Sequence, residues 1–266
     1  MLLRKCSFFA CLFLASCGVK QYNTQPTQKD AITVMTYNIH HANPPSKVGV
    51  IDVEAVAAMI NKQHPDVVAL QEVDVNTKRA GMNEAVILAE KTKMNFYFAK
   101  AIDYDGGEYG VAILSKYSLL SGNTYKLPTA EGTNGEHRVL ATAVIEVNGK
   151  KLTIACTHLD AQRSDTNRLL QIKAIVDILQ KETNPVILSG DLNATAGGAV
   201  INTLDQHFTR TCITDCGFTI PQDAPSKTID FISYSPAISF GVTAHQVIDE
   251  KYASDHLPVM ARLQLK

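Results

Sequence analysis

The 266-residue chain has no tryptophan and only 7% aromatic residues, so it offers little on which to stack a run of unpaired bases. It also lacks a surplus of positive charge. Its 25 Lys and Arg face 26 Asp and Glu, which excludes a global basic field that gathers nucleic acid by counterion release. Cysteine is scarce: six residues are too few for a disulfide-stapled scaffold. No apolar run approaches the roughly 20 residues that a membrane-crossing helix needs. What remains, 45% hydrophobic and 19% charged, is a globular composition with room for one large α/β domain or two small ones.

The first residues read as an address. Basic Arg4-Lys5 precede the apolar run Phe8–Leu14, which ends in the small residues Ala15-Ser16 before Cys17. This is the layout of a secretory signal, and Leu14-Ala15-Ser16-Cys17 resembles the bacterial lipobox, in which the cysteine is lipidated and becomes the new N-terminus. A plain signal cleaved elsewhere is the other reading. We therefore expect a lipoprotein signal peptide over residues 1–16, a lipidated Cys17 with a polar tether over 17–30, and one domain over 31–266. Such a chain is held at the bacterial cell envelope by an acyl anchor that does not span the membrane. Loss of Arg4 and Lys5 without any acid shifts the formal charge from -1 to -3. Val19–Asp30 would reach about 40 Å extended and about 20 Å as a coil.

Within 31–266, strand-like and helical patterns alternate. Ala31–Tyr37, Asp66–Leu70, Asn95–Ala101, Tyr109–Ser115 and Ser118–Lys126 read as strands, as do Val139–Val147 and Lys151–Thr157 around the Asn148-Gly149 turn. Pro185–Ser189, Thr228–Ser235, Ile238–Ala244 and Pro258–Leu265 complete the set. Ile51–Lys62, Asn83–Lys93 and Arg163–Gln180 carry helical periodicity. Hairpins mixed with crossover helices in one unit favour two packed sheets with helices outside.

Four of these strands end in polar clusters: Asn38; Gln71-Glu72; Thr157-His158-Leu159-Asp160; and Ser189-Gly190-Asp191-Leu192-Asn193. A carboxylate or amide at the mouth of a buried strand is rigidly held yet faces a crevice. Asp230 and Ser254-Asp255-His256 follow near the C-terminus. The set is rich in hard oxygen donors, which suits Mg²⁺, Mn²⁺ or Ca²⁺ better than zinc.

Thr36-Tyr37-Asn38, Leu70-Gln71-Glu72, Thr157-His158-Leu159, Gly190-Asp191-Leu192-Asn193, Ile229-Asp230-Phe231 and Ser254-Asp255-His256-Leu257-Pro258-Val259 together resemble the ordered motifs of the endonuclease/exonuclease/phosphatase superfamily. The resemblance implies a four-layer α/β/β/α sandwich of the deoxyribonuclease I type and divalent-metal-dependent phosphoester cleavage. It implies that Glu72, with Asn38 and Asp255, holds the cation. Asp191 would orient or deprotonate the attacking water, Asn193 would donate to the developing charge, and His256, paired with Asp230, would stay cationic against the phosphate or act in acid–base transfer. The resemblance leaves the base open between Asp191 and His256, and we take Asp191 as primary. His158 would donate to the phosphate; the carboxylate partner that some relatives give it is not evident in this sequence, with Glu108 as the candidate. Arg138 falls where relatives place an arginine against the substrate phosphate, and a guanidinium fork matches two phosphate oxygens; a surface arginine on a strand is the competing reading.

Other residues read more plainly. Cys156 reads as a buried apolar thiol. Cys212 and Cys216 form a local disulfide or stay free, and His40 and His41 border the site or satisfy a loop. Gly106-Gly107 and Gly197-Gly198 mark turns. The expected substrate is a small or lipid-linked phosphoester handled by a monomer at the envelope. A tethered endonuclease of the deoxyribonuclease type is less favoured because the mature domain is slightly acidic, and a silent binding protein with the same fold is the remaining alternative.

Overall fold

The computed structural model describes residues 30–266; the signal and lipidation expectations lie outside them. In chain order the elements are β1 (Ala31–Asn38), α1 (Val53–Gln63), β2 (Val67–Val75), α2 (Glu84–Thr92), β3 (Asn95–Tyr104), β4 (Gly107–Ser115), β5 (Ser121–Lys126) and β6 (Val139–Val147). There follow β7 (Lys150–His158), α3 (Thr166–Leu179), β8 (Val186–Asp191), α4 (Ala199–Asp205), β9 (Thr209–Arg210), β10 (Asp230–Ser235), β11 (Phe240–Val247) and β12 (Val259–Leu265).

The boundaries of α1 and α2 have local causes. Asp52 caps α1 by accepting from Ala55 N at 3.0 Å, and Asn83 caps α2 from Val86 N at 3.1 Å, so each satisfies an otherwise orphaned N–H. His64, in the left-handed region at φ 52°, ends α1 just before Pro65, and Lys93 does the same for α2 at φ 57°. The short helix α4 escapes the sequence reading because its seven residues give too few turns for a periodic signal and follow a glycine pair that reads only as a turn.

The strands form two six-stranded sheets, ordered β11-β12-β1-β2-β4-β3 and β5-β6-β7-β8-β10-β9. Each has a parallel pair near its centre, β1 with β2 and β7 with β8. Alternation then sorts the side chains of each sheet between its two faces. Ile32, Val34, Ile113, Ile145, Ile154 and Ile187 meet between the sheets. Met35, Val68 and Leu114 turn outward to α1 and α2, while Leu140, Leu188 and Phe231 turn outward to α3 and α4. The result is the expected four-layer α/β/β/α sandwich. Truncating one of these fully buried aliphatic side chains to alanine costs about 2–5 kcal/mol.

Candidate active site

The topology delivers the polar clusters to one rim. β1 and β8 end at Asn38 and Asp191, and Asn38 Nδ2 donates to Asp191 Oδ2 at 3.1 Å, so the C-terminal ends of the two parallel pairs meet across the sandwich. β7 ends at the same edge, with His158 opposite Asp191 in the ladder. β10 runs antiparallel to β8 and therefore begins there, placing Asp230 opposite Asp191. β12 runs antiparallel to β1, so Ser254-Asp255-His256 enter at this rim as well. Ser254 Oγ pins that segment by donating to Asn38 O at 2.7 Å.

Glu72 arrives by a different device, and the strand-end reading of Leu70-Gln71-Glu72 is corrected. β2 continues to Val75, with Leu70 opposite Ala112 and Val73 opposite Gly110. One extra residue therefore bulges from β2, and Glu72 takes φ +58°. A bulge re-aims side chains. Gln71 turns into the core, where Thr36 Oγ1 donates to its Oε1 at 3.3 Å and its Nε2 donates to Cys156 Sγ at 3.3 Å. Glu72 turns to the cleft and accepts from Asn38 Nδ2 at 3.0 Å. Gly110 sits beside the bulge where β3 closes on β4; a Cβ there would lie 2.1 Å from Ala99 O. Asn193 (φ +47°) and the run His40, His41, Ala42 (φ 47°, 43° and 51°) are also left-handed, an uncommon backbone for residues other than glycine.

The charges are unequal. His256 Nδ1 donates to Asp230 Oδ2 at 2.9 Å, and its Nε2 lies 3.7 Å from Asp191 Oδ2. Burial disfavours the imidazolium, but the Asp230 carboxylate overcomes it and raises the His256 pKa to about 10. Burial and the Asp230 charge push the Asp191 carboxyl up to about 7, against the opposing pull of His256. His158 is lowered well below its ordinary value by burial and by the Arg138 guanidinium. Arg138 Nη1 lies 3.1 Å from His158 Nδ1, while Nε2 faces Asn193 Nδ2 at 3.1 Å and Asp191 Oδ2 at 3.4 Å. Burial alone would raise Glu72, yet the imidazoles of His41 and His158 and the Asn38 amide hold it well below the usual carboxylate range.

A rim with one ionised glutamate, a carboxyl that titrates near neutrality and a fixed imidazolium can bind a cation and move a proton. The family model described as "Endonuclease/Exonuclease/phosphatase family" matches residues 35–256. The chain belongs to the endonuclease/exonuclease/phosphatase family. It is 24% identical over 254 residues to the uncharacterized protein YbhP of Escherichia coli K12, covering 90% of this chain and 98% of that one. Among solved structures it resembles the endonuclease/exonuclease/phosphatase of Beutenbergia cavernae, with TM-score 0.76, 24% identity and coverage of 89% and 72% of the two chains. It also resembles the Bacteroides thetaiotaomicron mannosyl-6-phosphatase Bt3783, with TM-score 0.69, 16% identity and coverage of 87% and 99%. Members of the family are hydrolases of phosphoesters and generally use a divalent metal.

Against this family background the individual expectations divide. Asn38, His158, Asp191, Asn193, Asp230 and His256 converge with Glu72. Asn193 N donates to Asp191 Oδ1 at 2.9 Å, and its side-chain amide lies 3.1 Å from His158 Nε2. Asn38 presents its amide nitrogen to both carboxylates, while its Oδ1 accepts from His40 N at 3.0 Å. Asp255 is half-buried; its Oδ1 accepts from the neighbouring Ser254 Oγ at 3.4 Å. Glu108 is not the partner of His158: it pairs with Lys100 at 3.1 Å, and Arg138 occupies His158 Nδ1 instead. The surface reading of Arg138 also fails, since it is 5% exposed and also paired with Glu136. Cys156 is a buried free thiol, pushed up to about 12 by burial, and Cys212 and Cys216 form a disulfide.

Three residues that the sequence reading left without a role hold Arg138 in place. Fully buried Asp160 accepts from Glu136 N at 2.7 Å and from Asn167 Nδ2 at 3.2 Å. Asn167 Oδ1 accepts from Ala130 N at 2.8 Å, and Gln171 Nε2 donates to Glu136 O at 3.4 Å. Together they strap the segment before β6 to α3. The available signal was Asp160 itself, an acid directly after Thr157-His158-Leu159.

Proposed function

We propose that this chain is a divalent-metal-dependent phosphoester hydrolase, tethered to the bacterial cell envelope through Cys17 and acting on small or lipid-linked phosphoesters. The observation that carries this reading is the convergence of Glu72, Asp191, His158 and His256, from distant parts of the sequence, on one rim. The donor set fits a hard cation. Glu72 stays ionised, and no described residue donates to its Oε2. The nearest group is His41 Nδ1 at 3.8 Å, itself buried without a hydrogen-bond partner. Glu72 would hold Mg²⁺ or Mn²⁺, with Asp255 as a further oxygen donor from the same rim, and the ion would supply Lewis-acid stabilisation of phosphate charge. Asn38 turns its amide nitrogen to Glu72 and so positions that carboxylate. The compact trio Asp191, Asp230 and His256 has ligand atoms within 4.8 Å of one another. His256 Nδ1 is committed to Asp230 Oδ2, while Asp230 Oδ1 is buried without a hydrogen-bond partner; we read the trio as proton-handling machinery.

Asp191 takes the proton of the attacking water, because its carboxyl lies near the pH at which it works. The Asp230–His256 pair keeps a fixed positive charge beside it, and neutral His158 donates to a phosphate oxygen. Asn193 orients Asp191 through its backbone N–H. Arg138 supplies guanidinium charge against the phosphate. The phosphatase resemblance supports small substrates, and the near-balanced charge weighs against a duplex. The test is hydrolysis of chromogenic phosphomonoesters and phosphodiesters with Mg²⁺ or Mn²⁺. Activity should vanish in EDTA and in Glu72→Ala; equal turnover in the variant would overturn the reading. Nicking of plasmid DNA at low protein concentration, with steep salt dependence, would favour an endonuclease instead.

A further inference from the structure

A cavity of about 400 Å³ opens beside Glu72, within the range that ligand pockets occupy. Its walls are Ile102 and Tyr104 from β3, Tyr109 from β4, Arg79 from the turn after β2, and Glu136 and Arg138 from the segment before β6. Arg79 is fixed in this wall. Its Nε and Nη2 donate to the two oxygens of Asp74 at 2.6 and 2.9 Å. Asp74 is itself fully buried and accepts from Thr77 Oγ1 at 2.7 Å. The guanidinium lies 4.6 Å from the Tyr104 ring centre and 5.8 Å from that of Tyr109. A stacked, doubly anchored arginine has already lost its rotamer freedom, so a ligand meets a preformed surface.

Charge narrows the occupant. Asp74 pairs with Arg79, and Arg138, paired with Glu136, is taken by the phosphate of the adjoining cleft, with the Glu72 carboxyl group beside them. Among the lining residues His137 is the one further basic side chain, so the wall offers no unpaired guanidinium or ammonium to a second phosphate or to the backbone of a polyanion. Shape narrows it further, because two phenol rings, an isoleucine and a guanidinium plane present flat, mostly apolar faces with polar edges. We propose that this cavity seats the substituent of the phosphoester, and that the substituent is an uncharged ring carrying hydrogen-bonding groups, a pyranose or an aromatic base. The assignment rests on the phosphoester reading of the adjoining cleft.

Saturation-transfer NMR on the full chain with Mg²⁺ tests it, using benzylphosphonate, a hexose 6-phosphonate, a propylphosphonate and methylenebisphosphonate. Ring protons of the first two should be saturated, and whichever binds more tightly identifies the kind of ring. Tyr104 is 41% exposed, so Tyr104→Ala should fold; it should narrow the preference for ring over propyl ligands about tenfold. Absence of ring saturation, tighter binding of the bisphosphonate, or an unchanged preference in Tyr104→Ala would each overturn the proposal. The matching esters are assayed for hydrolysis in parallel. Ring binding without hydrolysis would sink the hydrolase reading and leave the cavity assignment standing. Hydrolysis without ring preference would do the reverse.

Discussion

His158 and His256 flank Asp191 from opposite sides and are equally hidden from water, each 4% exposed. Their Nε2 atoms lie 3.4 and 3.7 Å from the same Asp191 oxygen. They nevertheless carry different charges. Behind His158 stands Arg138, whose guanidinium adds to the cost of burial and keeps the ring neutral. Behind His256 stands Asp230, whose carboxylate outweighs that cost and fixes an imidazolium. Burial penalises charge in both rings, so the sign of the neighbour decides which ring keeps a proton. A cleft arranged this way holds a neutral donor and a permanent cation around one titrating carboxyl.

That contrast breaks most completely when its centre is removed. Asp191→Asn should lower kcat by about 10³-fold with little change in KM, since a general base contributes about 10²–10⁴-fold; steady-state kinetics on a chromogenic phosphoester checks this. Asp230→Asn attacks only the His256 side and should cost about 10²-fold. In the wild type, activity should rise with pH through about 7 as Asp191 loses its proton, and fall through about 10 as His256 loses its own. Without Asp230 the alkaline limb should move to lower pH, and a pH–rate profile with unmoved limbs would refute the assignment of roles. On the other wall, Arg138→Met removes the charge that keeps His158 neutral. The His158 ring should then titrate at higher pH by NMR, and KM should rise about tenfold for the lost phosphate contact.

The smallest effect extends the comparison to a buried acid with no compensating cation in contact. Glu84 is fully buried beside Asp74, and burial raises its carboxyl to about 8. The folded state therefore keeps a proton that the unfolded chain sheds near pH 4.5. This contribution to stability is complete below that value and is lost as pH rises through about 8. Glu84→Gln should flatten this decline and raise Tm by a few degrees at pH 9, roughly 2–4 °C per kcal/mol for a chain of this size. Calorimetry at pH 5 and pH 9 checks it; an equal shift at both values would contradict the ionisation.

How much of this could be read beforehand follows from how local each signal is. The strands announced themselves through apolar runs, α1 and α2 through periodicity, and the rim residues through polar clusters at the ends of those runs. The bulge at Glu72 was hidden, because a single residue in excess shows only against its partner strand, about 40 positions away. The choice of Glu108 for His158 failed for the same reason. An acid with suitable chemistry was visible, but the ladder that carries it toward Lys100 was not. Arg79, Tyr104 and Tyr109 belong to separate segments and drew no functional reading; β2, β3 and β4 bring them around one cavity. Pairing across sheets is the information that a chain read in order withholds.

The extra residue in β2 also bears on how this protein would tolerate insertions and deletions. Glu72 looks out of the sandwich only because Leu70 and Val73 are separated by one position more than their partners Ala112 and Gly110. Removing a single codon there would restore an unbroken ladder and swing the carboxylate inward. The gene thus lies one short deletion away from a chain whose cleft carboxylate is turned into an apolar layer, where an unpaired charge costs stability as well as activity.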